Sequence, residues 1–113
     1  MRGLILTSLF ATAGCHHWTR GDTLAEAAVG ATLAVDFYQT MRGVEVCREA
    51  NPVIGPCGER LPPGLFFPLV GVAHAVIAGV LPHGSWRRGF QATTAGAEAA
   101  TVWSNYLNMR DLK

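Results

Sequence analysis

The chain has 113 residues, of which 50% are apolar and 15% are charged, and its formal net charge is +1. This length is enough for one small domain. The sequence contains no basic run or patch of the kind that binds phosphate backbones, so it excludes a nucleic-acid partner. Its apolar content is high for a soluble domain of this size and too low for a chain that is fully immersed in lipid.

The first fourteen residues have the layout of a secretory signal peptide. An arginine at position 2 is followed by a short apolar core at 4–10 and by small residues up to Cys15. The apolar core is too short to cross a bilayer as a helix. The tetrapeptide Thr12-Ala13-Gly14-Cys15 resembles the lipobox of bacterial lipoproteins, although Thr12 stands where that family usually has Leu. We therefore expect removal of residues 1–14 and covalent attachment of a lipid to Cys15.

Two other interpretations of this segment stay open. Ala11 and Ala13 also fit conventional signal cleavage before Gly14, and the segment can instead remain uncut as an N-terminal helix. If Cys15 is lipidated, the resemblance to lipoproteins favours the outer membrane, because His16 stands where lipoproteins that are retained at the inner membrane carry Asp.

The other two cysteines, Cys47 and Cys57, enclose a loop that contains two prolines and a glycine. In an oxidising compartment they can close a disulfide ring, and chain entropy would then contribute roughly 2.5–3 kcal/mol. The alternative is a pair of free thiols. No C-x2-C spacing or nearby histidine pair accompanies them, so a zinc site is not predicted.

Three helices are predicted, at about residues 23–42, 64–81 and 86–107, and no strand pattern competes with them. Short connections favour up-down-up packing. The sequence therefore predicts an all-α fold, a membrane-anchored three-helix up-down-up bundle over 22–113. A lipidated linker at 15–21 would join this domain to the cleaved signal.

The start and stop signals of these helices are local. Thr23 and Glu26 form a capping-box pattern before the first helix, and Gly43 is a natural stop after it. Prolines bound the second segment, which has no formal charge, and Pro68 lies in its first turns. Ser85 is a residue type that is favoured as the N-cap of the third helix.

Polar side chains recur on one face of the first and third predicted helices. Steps of three and four residues place them on single stripes, while the second helix contributes only His74. The stripe on the first helix consists of Thr32, Asp36, Gln39 and Thr40, and that on the third of Gln91, Thr94, Glu98, Thr101 and Asn105.

Counted from the predicted helix ends, Asp36, His74 and Glu98 lie roughly 9–15 Å below the face that carries the cysteine loop. They are therefore expected to converge inside the bundle, with Glu49 and Asn51 above them. The simpler interpretation is a satisfied polar network that fixes helix register. The alternative is a site, because Asp, His and Glu together can bind a divalent metal or perform acid–base chemistry.

Both the H-E-x-x-H metal motif and a nucleophile elbow are missing from the sequence, which favours the network over the site. No catalytic residue is assigned, and the only candidate metal ligands are Asp36, His74 and Glu98. No cofactor is predicted beyond the lipid on Cys15.

The order of several short motifs resembles a group of small helical proteins encoded in bacteriophages and proteobacterial genomes. Members commonly begin with a lipoprotein-type signal and carry no assigned activity, so the resemblance implies architecture and a phage context but no mechanism. They often lack the pair Cys47 and Cys57, so the resemblance gives the disulfide no support. The motifs are W-T-R-G-D-T (18–23), D-F-Y-Q-T (36–40), E-A-N-P-x-I-G (49–55), F-F (66–67), H (74), L-P (81–82), W-R-R-x-x-Q (86–91), E (98) and N (105).

The sequence leaves open whether the helices span the membrane or lie on its periplasmic side. We expect a structural or interaction protein of the bacterial envelope, phage or prophage encoded, acting in lysis or superinfection exclusion. The alternatives are a membrane-embedded metal protein or hydrolase and a small oligomeric ion or proton conduit. The expected partners are membrane lipid and either an envelope protein or further copies of the chain.

Overall fold

A computed structural model describes residues 17–110, and this part of the chain is all helical, without strands. Helix α1 covers Arg20–Glu45, α2 covers Pro63–Val80 and α3 covers Ser85–Arg110. The predicted three-helix fold is confirmed at this level. The predicted signal peptide, Cys15 and His16 lie outside the described residues.

Helix α1 begins earlier than predicted, inside the expected linker. Its N-cap is Thr19, whose hydroxyl accepts from the Asp22 backbone N–H at 3.1 Å, while Asp22 Oδ2 accepts from the Thr19 N–H at 2.8 Å. This reciprocal pair is a capping box. The box predicted at Thr23 and Glu26 is therefore wrong, because an equally good pattern four residues upstream starts the helix first.

The C-terminal end of α1 also differs from the prediction. Gly43 lies inside the helix, and Cys47 takes the left-handed conformation with φ 53° that follows the last turn. The N–H of Arg48 donates to Gly43 O and the N–H of Cys47 donates to Val44 O, which is the Schellman arrangement. Gly43 is needed for close approach instead, since a Cβ there would lie 3.3 Å from Glu49 Oε2.

The segment between α1 and α2 is tied to itself. The sulfur atoms of Cys47 and Cys57 lie 2.09 Å apart, the distance of a disulfide, so the ring that the sequence allows can close. Ile54, which is fully buried, carries the loop into the core. Helix α2 then begins with Pro63 in its first turn, where a missing N–H costs nothing, and Pro68 is accommodated within the helix.

The helices pack up-down-up, with α1 in contact with both neighbours along its length and α2 and α3 touching least. The apolar core is small and lies toward the cysteine loop. It consists of Val29, Leu33, Ile54 and Phe67, with Phe37, Val44, Phe66, Val70 and Ala95 packed against it. Phe37 and Phe67 meet edge to face at 5.5 Å, which sets the register of α2 on α1.

Candidate functional site

Arg87 is the centre of a buried polar cluster at the end of the bundle where α1 starts. Only 1% of its surface is exposed. Its guanidinium donates to the carbonyls of Ala78, Gly79 and Leu81 at the C-terminal end of α2, and to Asp22 Oδ2 at 3.2 Å. A cation is favourable there, because the last carbonyls of a helix have no partner within it. One side chain thus joins the ends of all three helices.

Asp22 binds Arg87 from the first turn of α1 and is fully buried. Hydrogen bonds from the Thr19 backbone and hydroxyl and from Arg87 hold the pKa of Asp22 below its usual range, against the opposing effect of burial. Trp18 covers the pair, with the Arg87 guanidinium 5.1 Å from its ring centre. This geometry explains why Trp18, Thr19 and Asp22 stand so close together in the sequence.

The cluster continues inward through an amide to a histidine. Gln91 Nε2 donates to the Asp22 carbonyl at 3.2 Å and to Glu26 Oε2 at 2.9 Å. The other oxygen of Glu26 lies 2.7 Å from His74 Nδ1, and the His74 ring stacks on Phe90 at 4.4 Å. A carboxylate only accepts hydrogen bonds, so the His74 proton lies on Nδ1. We call Asp22, Glu26, His74, Arg87 and Gln91 the Arg87 cluster.

A second polar cluster lies between α1 and α3 near the cysteine loop. Asn105 Nδ2 donates to Asp36 Oδ1 at 2.8 Å, and Gln39 Nε2 donates to the Val102 carbonyl at 3.1 Å. Asp36 also interacts electrostatically with Glu98 and Glu49. We call Asp36, Gln39, Glu98 and Asn105 the Asp36 cluster. Its amide–carboxylate and amide–carbonyl bonds link the two helices in register.

Glu49 and Asn51, predicted above the carboxylates, order the loop, and Glu49 also interacts electrostatically with Asp36. Glu49 Oε1 accepts from the Asn51 N–H at 2.8 Å, and Asn51 Oδ1 accepts from the Val53 N–H at 2.9 Å. Such local side-chain bonds are typical of turns. Thr40 is buried in α1, while the hydroxyls of Thr32, Thr94 and Thr101 bond back to carbonyls of their own helices.

The structure does not bring Asp36, His74 and Glu98 into one group. Asp36 and Glu98 interact, but His74 pairs with Glu26, ten residues before Asp36 and therefore about 15 Å away along α1. The reason is the register set by Phe67 on Phe37, because His74 lies two turns beyond Phe67. The depths predicted for Asp36, His74 and Glu98 were counted from the helix ends, so they could not include the contact between Phe67 and Phe37.

This separation limits the chemistry of the bundle. Within residues 17–110 no three His, Cys, Asp or Glu side chains are arranged to hold a metal ion. His74 Nε2 is buried without a hydrogen-bond partner among the described groups, so it faces no solvent from which a substrate could approach. The described polar residues therefore form two separate networks, the Arg87 cluster and the Asp36 cluster, that join the helices.

The outside of the bundle is apolar where the interior is polar. In 24–41, 63–80 and 89–107, no exposed residue carries a formal charge, and Glu26, Asp36 and Glu98 all turn partly inward. Among the described residues the buried set holds six polar or charged side chains and, with Pro63, six apolar ones. The exposed large side chains of α2 are Leu65, Leu69, Val72, Val76, Ile77 and Val80.

Helix α2 is also long and apolar enough to cross a membrane. It has eighteen residues with a mean hydropathy of 1.8, and only 22% of it is buried. Within residues 17–110 no other helix reaches this level by composition alone. On the far side of α1 from α2, a shallow groove of about 490 Å³ runs between α1 and α3. We call it the α1/α3 groove; Ala31, Val35, Gln39, Ala99, Trp103 and Tyr106 are among its lining residues.

Sequence reasoning missed Arg87, Asp22 and Glu26. Arg87 carried no predicted role, Asp22 lay outside the first helix predicted at about 23–42, and Glu26 was predicted only as a capping residue. One signal was present in the sequence: a helix such as α2, which ends in Val-Leu-Pro without a glycine or a basic residue, leaves its carbonyls to be satisfied from elsewhere.

Comparison with known proteins does not assign this arrangement to a family. No protein-family model, curated protein or solved structure matches the chain.

Proposed function

We propose that this chain is a membrane-embedded, non-catalytic protein of the bacterial envelope, in which all three helices cross the bilayer. The observation that carries the proposal is the polarity of the outer surface: over 24–41, 63–80 and 89–107 no exposed side chain carries a formal charge, and many large apolar side chains are exposed. In water this distribution would expose a large apolar surface. In lipid it is the expected one, because polar groups face the protein interior and find partners there.

The dimensions of the bundle support the same proposal. The uncharged outer surface covers about eighteen residues of each helix, or about 27 Å, close to the hydrocarbon thickness of about 30 Å. Exposed aromatic side chains mark both of its edges, as is common at membrane interfaces. They are Trp18 and Trp86 at the Arg87 end, and Tyr38, Trp103 and Tyr106 toward the loop end.

Packing supports crossing by three helices rather than one. Helix α2 runs antiparallel to α1 and packs along it, so α2 cannot cross the bilayer while α1 and α3 remain outside. Glu26 and Asp36 lower the hydropathy of α1, but their hydrogen bonds with residues of α2 and α3 hold them inside the bundle. Glu98 of α3 is half-buried beside Asp36, and its Oε2 has no hydrogen-bond partner among the described residues. The envelope role is then structural or in partner contact, and lysis or superinfection exclusion is the proposed context from the phage resemblance.

Charged substitutions test the embedding, in a Cys15→Ser background where no lipid can retain the chain. We expect Val72→Arg and Ala97→Arg to reduce severalfold the fraction of the chain that remains in membranes after alkaline extraction, because arginine is costly at the bilayer centre. The matched control Val53→Arg, in the exposed loop, should leave extraction unchanged. If Ala97→Arg leaves the extraction unchanged, lipid contact is confined to α2. If alkaline extraction releases the unsubstituted chain, the proposal is rejected.

If the bundle is embedded, its orientation in the membrane decides both whether Cys15 can carry a lipid and whether Cys47 and Cys57 can form a disulfide. Because α1 crosses once between Cys15 and Cys47, a lipid and a disulfide cannot both face the periplasm. The loop end carries Arg42, Arg48, Arg60 and Arg110, against Arg20, Arg87 and Arg88 at the other end. That bias, together with the lipobox resemblance, favours a cytoplasmic loop in the inner membrane. Helical spans are foreign to the outer membrane, so the expectation from His16 does not carry over.

Mass spectrometry and thiol counting test this orientation. We expect a lipid mass on Cys15, loss of residues 1–14, and two alkylatable thiols at Cys47 and Cys57 in freshly lysed cells. The structure holds the two sulfurs at bonding distance, but cytoplasmic reductants keep such pairs reduced. An unmodified Cys15 together with a disulfide would reverse the orientation.

A further inference from the structure

We propose that the α1/α3 groove is the contact surface for a second copy of this chain, forming a parallel two-fold dimer within the membrane. This inference rests on the proposed embedding. Helix α2 covers one side of the α1–α3 pair, and the groove is what remains on the other side. Its walls carry small residues, Ala31 and Ala99, which allow helices to approach closely in lipid.

A polar group inside the groove points to a partner. Gln39 is only 8% exposed, and its Oε1 has no hydrogen-bond partner among the described residues, while its Nε2 donates to the Val102 carbonyl. An amide has two N–H donors, so one remains free. In lipid no water satisfies these groups, and an unsatisfied amide is unfavourable at that depth.

The chemistry of Gln39 favours a second copy over a different partner. A free N–H and a free carbonyl on one side chain are complementary to the same side chain in another copy. A two-fold axis parallel to the helices places equal depths opposite each other, so Gln39 would face Gln39 of the second copy. The terminal torsion of glutamine is broad, so a small rotation presents the amide to the groove.

The size of the surface agrees with a stable contact. The groove lining covers 31–39 and 99–106, about two turns of each helix, and it is part of a larger outer face. Over the full 26 residues of both helices, about 39 Å long and together about 18 Å wide, that face offers up to about 700 Å² per copy. Specific protein interfaces bury about 800 Å² per partner. Trp103 is 62% exposed beside the groove and stacks on Tyr106 at 5.7 Å, which supplies a rigid aromatic edge to such a contact.

Cysteine crosslinking in membranes tests the dimer with the full chain. We expect Ala99→Cys, on the groove wall, to give at least tenfold more oxidised dimer than Ala100→Cys, the adjacent position about 100° further round α3, which does not line the groove. Gln39→Leu, which stands in both copies, should raise the dimer dissociation constant measured by energy transfer by at least about 3-fold, the low end expected for a single hydrogen bond between membrane helices. Helical circular dichroism of each variant checks its fold.

Three results would overturn the inference: a monomer in energy transfer, equal crosslinking at both positions, or crosslinks from Ala99→Cys to another protein. Failure of the embedding is distinguishable from all three, because the chain would then be released by alkaline extraction. A monomer that stays in the membrane after extraction rejects the dimer and leaves the proposed function intact.

Discussion

Replacing Arg87 with methionine is expected to destabilise the bundle by about 3–5 kcal/mol, the cost of removing one partner from a buried ion pair. Methionine keeps the length and apolar stem of the side chain but none of its donors. Asp22 would remain buried without its cation, and the carbonyls of Ala78, Gly79 and Leu81 would lose the donor that reaches them from α3. Chemical unfolding in detergent micelles, followed by circular dichroism, measures the loss.

Arg88→Met is the matched control, because the neighbouring arginine is exposed; we expect a change within about 0.5 kcal/mol. Adding Asp22→Asn to Arg87→Met should recover part of the loss, since no unpaired charge then remains buried. An Arg87→Met chain as stable as Arg88→Met would contradict the role given to Arg87.

The pH dependence of stability should test the same ion pair between Asp22 and Arg87. The folded pKa of Asp22 is lowered by its hydrogen bonds with Thr19 and Arg87. Its contribution to stability is therefore fully present above the ordinary pKa of about 3.9 and is lost as the pH falls through the lowered folded value. We expect a smaller loss of stability below about pH 4 in Arg87→Met.

The helices could be predicted because their signals are local. Prolines, glycines and capping patterns divide the chain into three segments, and the spacing of Cys47 and Cys57 allows a short ring. The polar stripes were also predictable, because periodicity places residues on one face whatever the partner helix. Gln91, Glu98 and Asn105 do face α1, as the stripe on the third helix indicates.

The contacts between helices could not be predicted from the same signals. Which residue faces His74 depends on how Phe67 meets Phe37, and a shift of nearly three turns changes its partner from Asp36 to Glu26. Thr19 and Thr23 offer similar capping patterns, and the bond of Asp22 with Arg87, 65 residues away, favours the first. Such long-range pairs follow from three-dimensional packing, which periodicity along one helix does not contain.

His74→Ala is expected to lower the free energy of unfolding by about 2–4 kcal/mol, the sum of a hydrogen bond to a carboxylate and the lost stacking on Phe90. Double-mutant cycles then identify its partner. His74→Leu with Glu26→Leu should show a coupling of about 0.6–1.7 kcal/mol, the range measured between polar groups in membrane proteins.

The control cycle pairs His74→Leu with Asp36→Leu. Asp36 lies about 15 Å from Glu26 along α1, so these two changes should add within about 0.5 kcal/mol. Equal coupling of His74 to Asp36 and to Glu26 would restore the single convergent cluster that the sequence suggested, and with it the case for a metal or acid–base site. Coupling to Glu26 alone means that the histidine fixes the register of α2 against α1, because sliding α2 by one turn would leave both groups buried without each other.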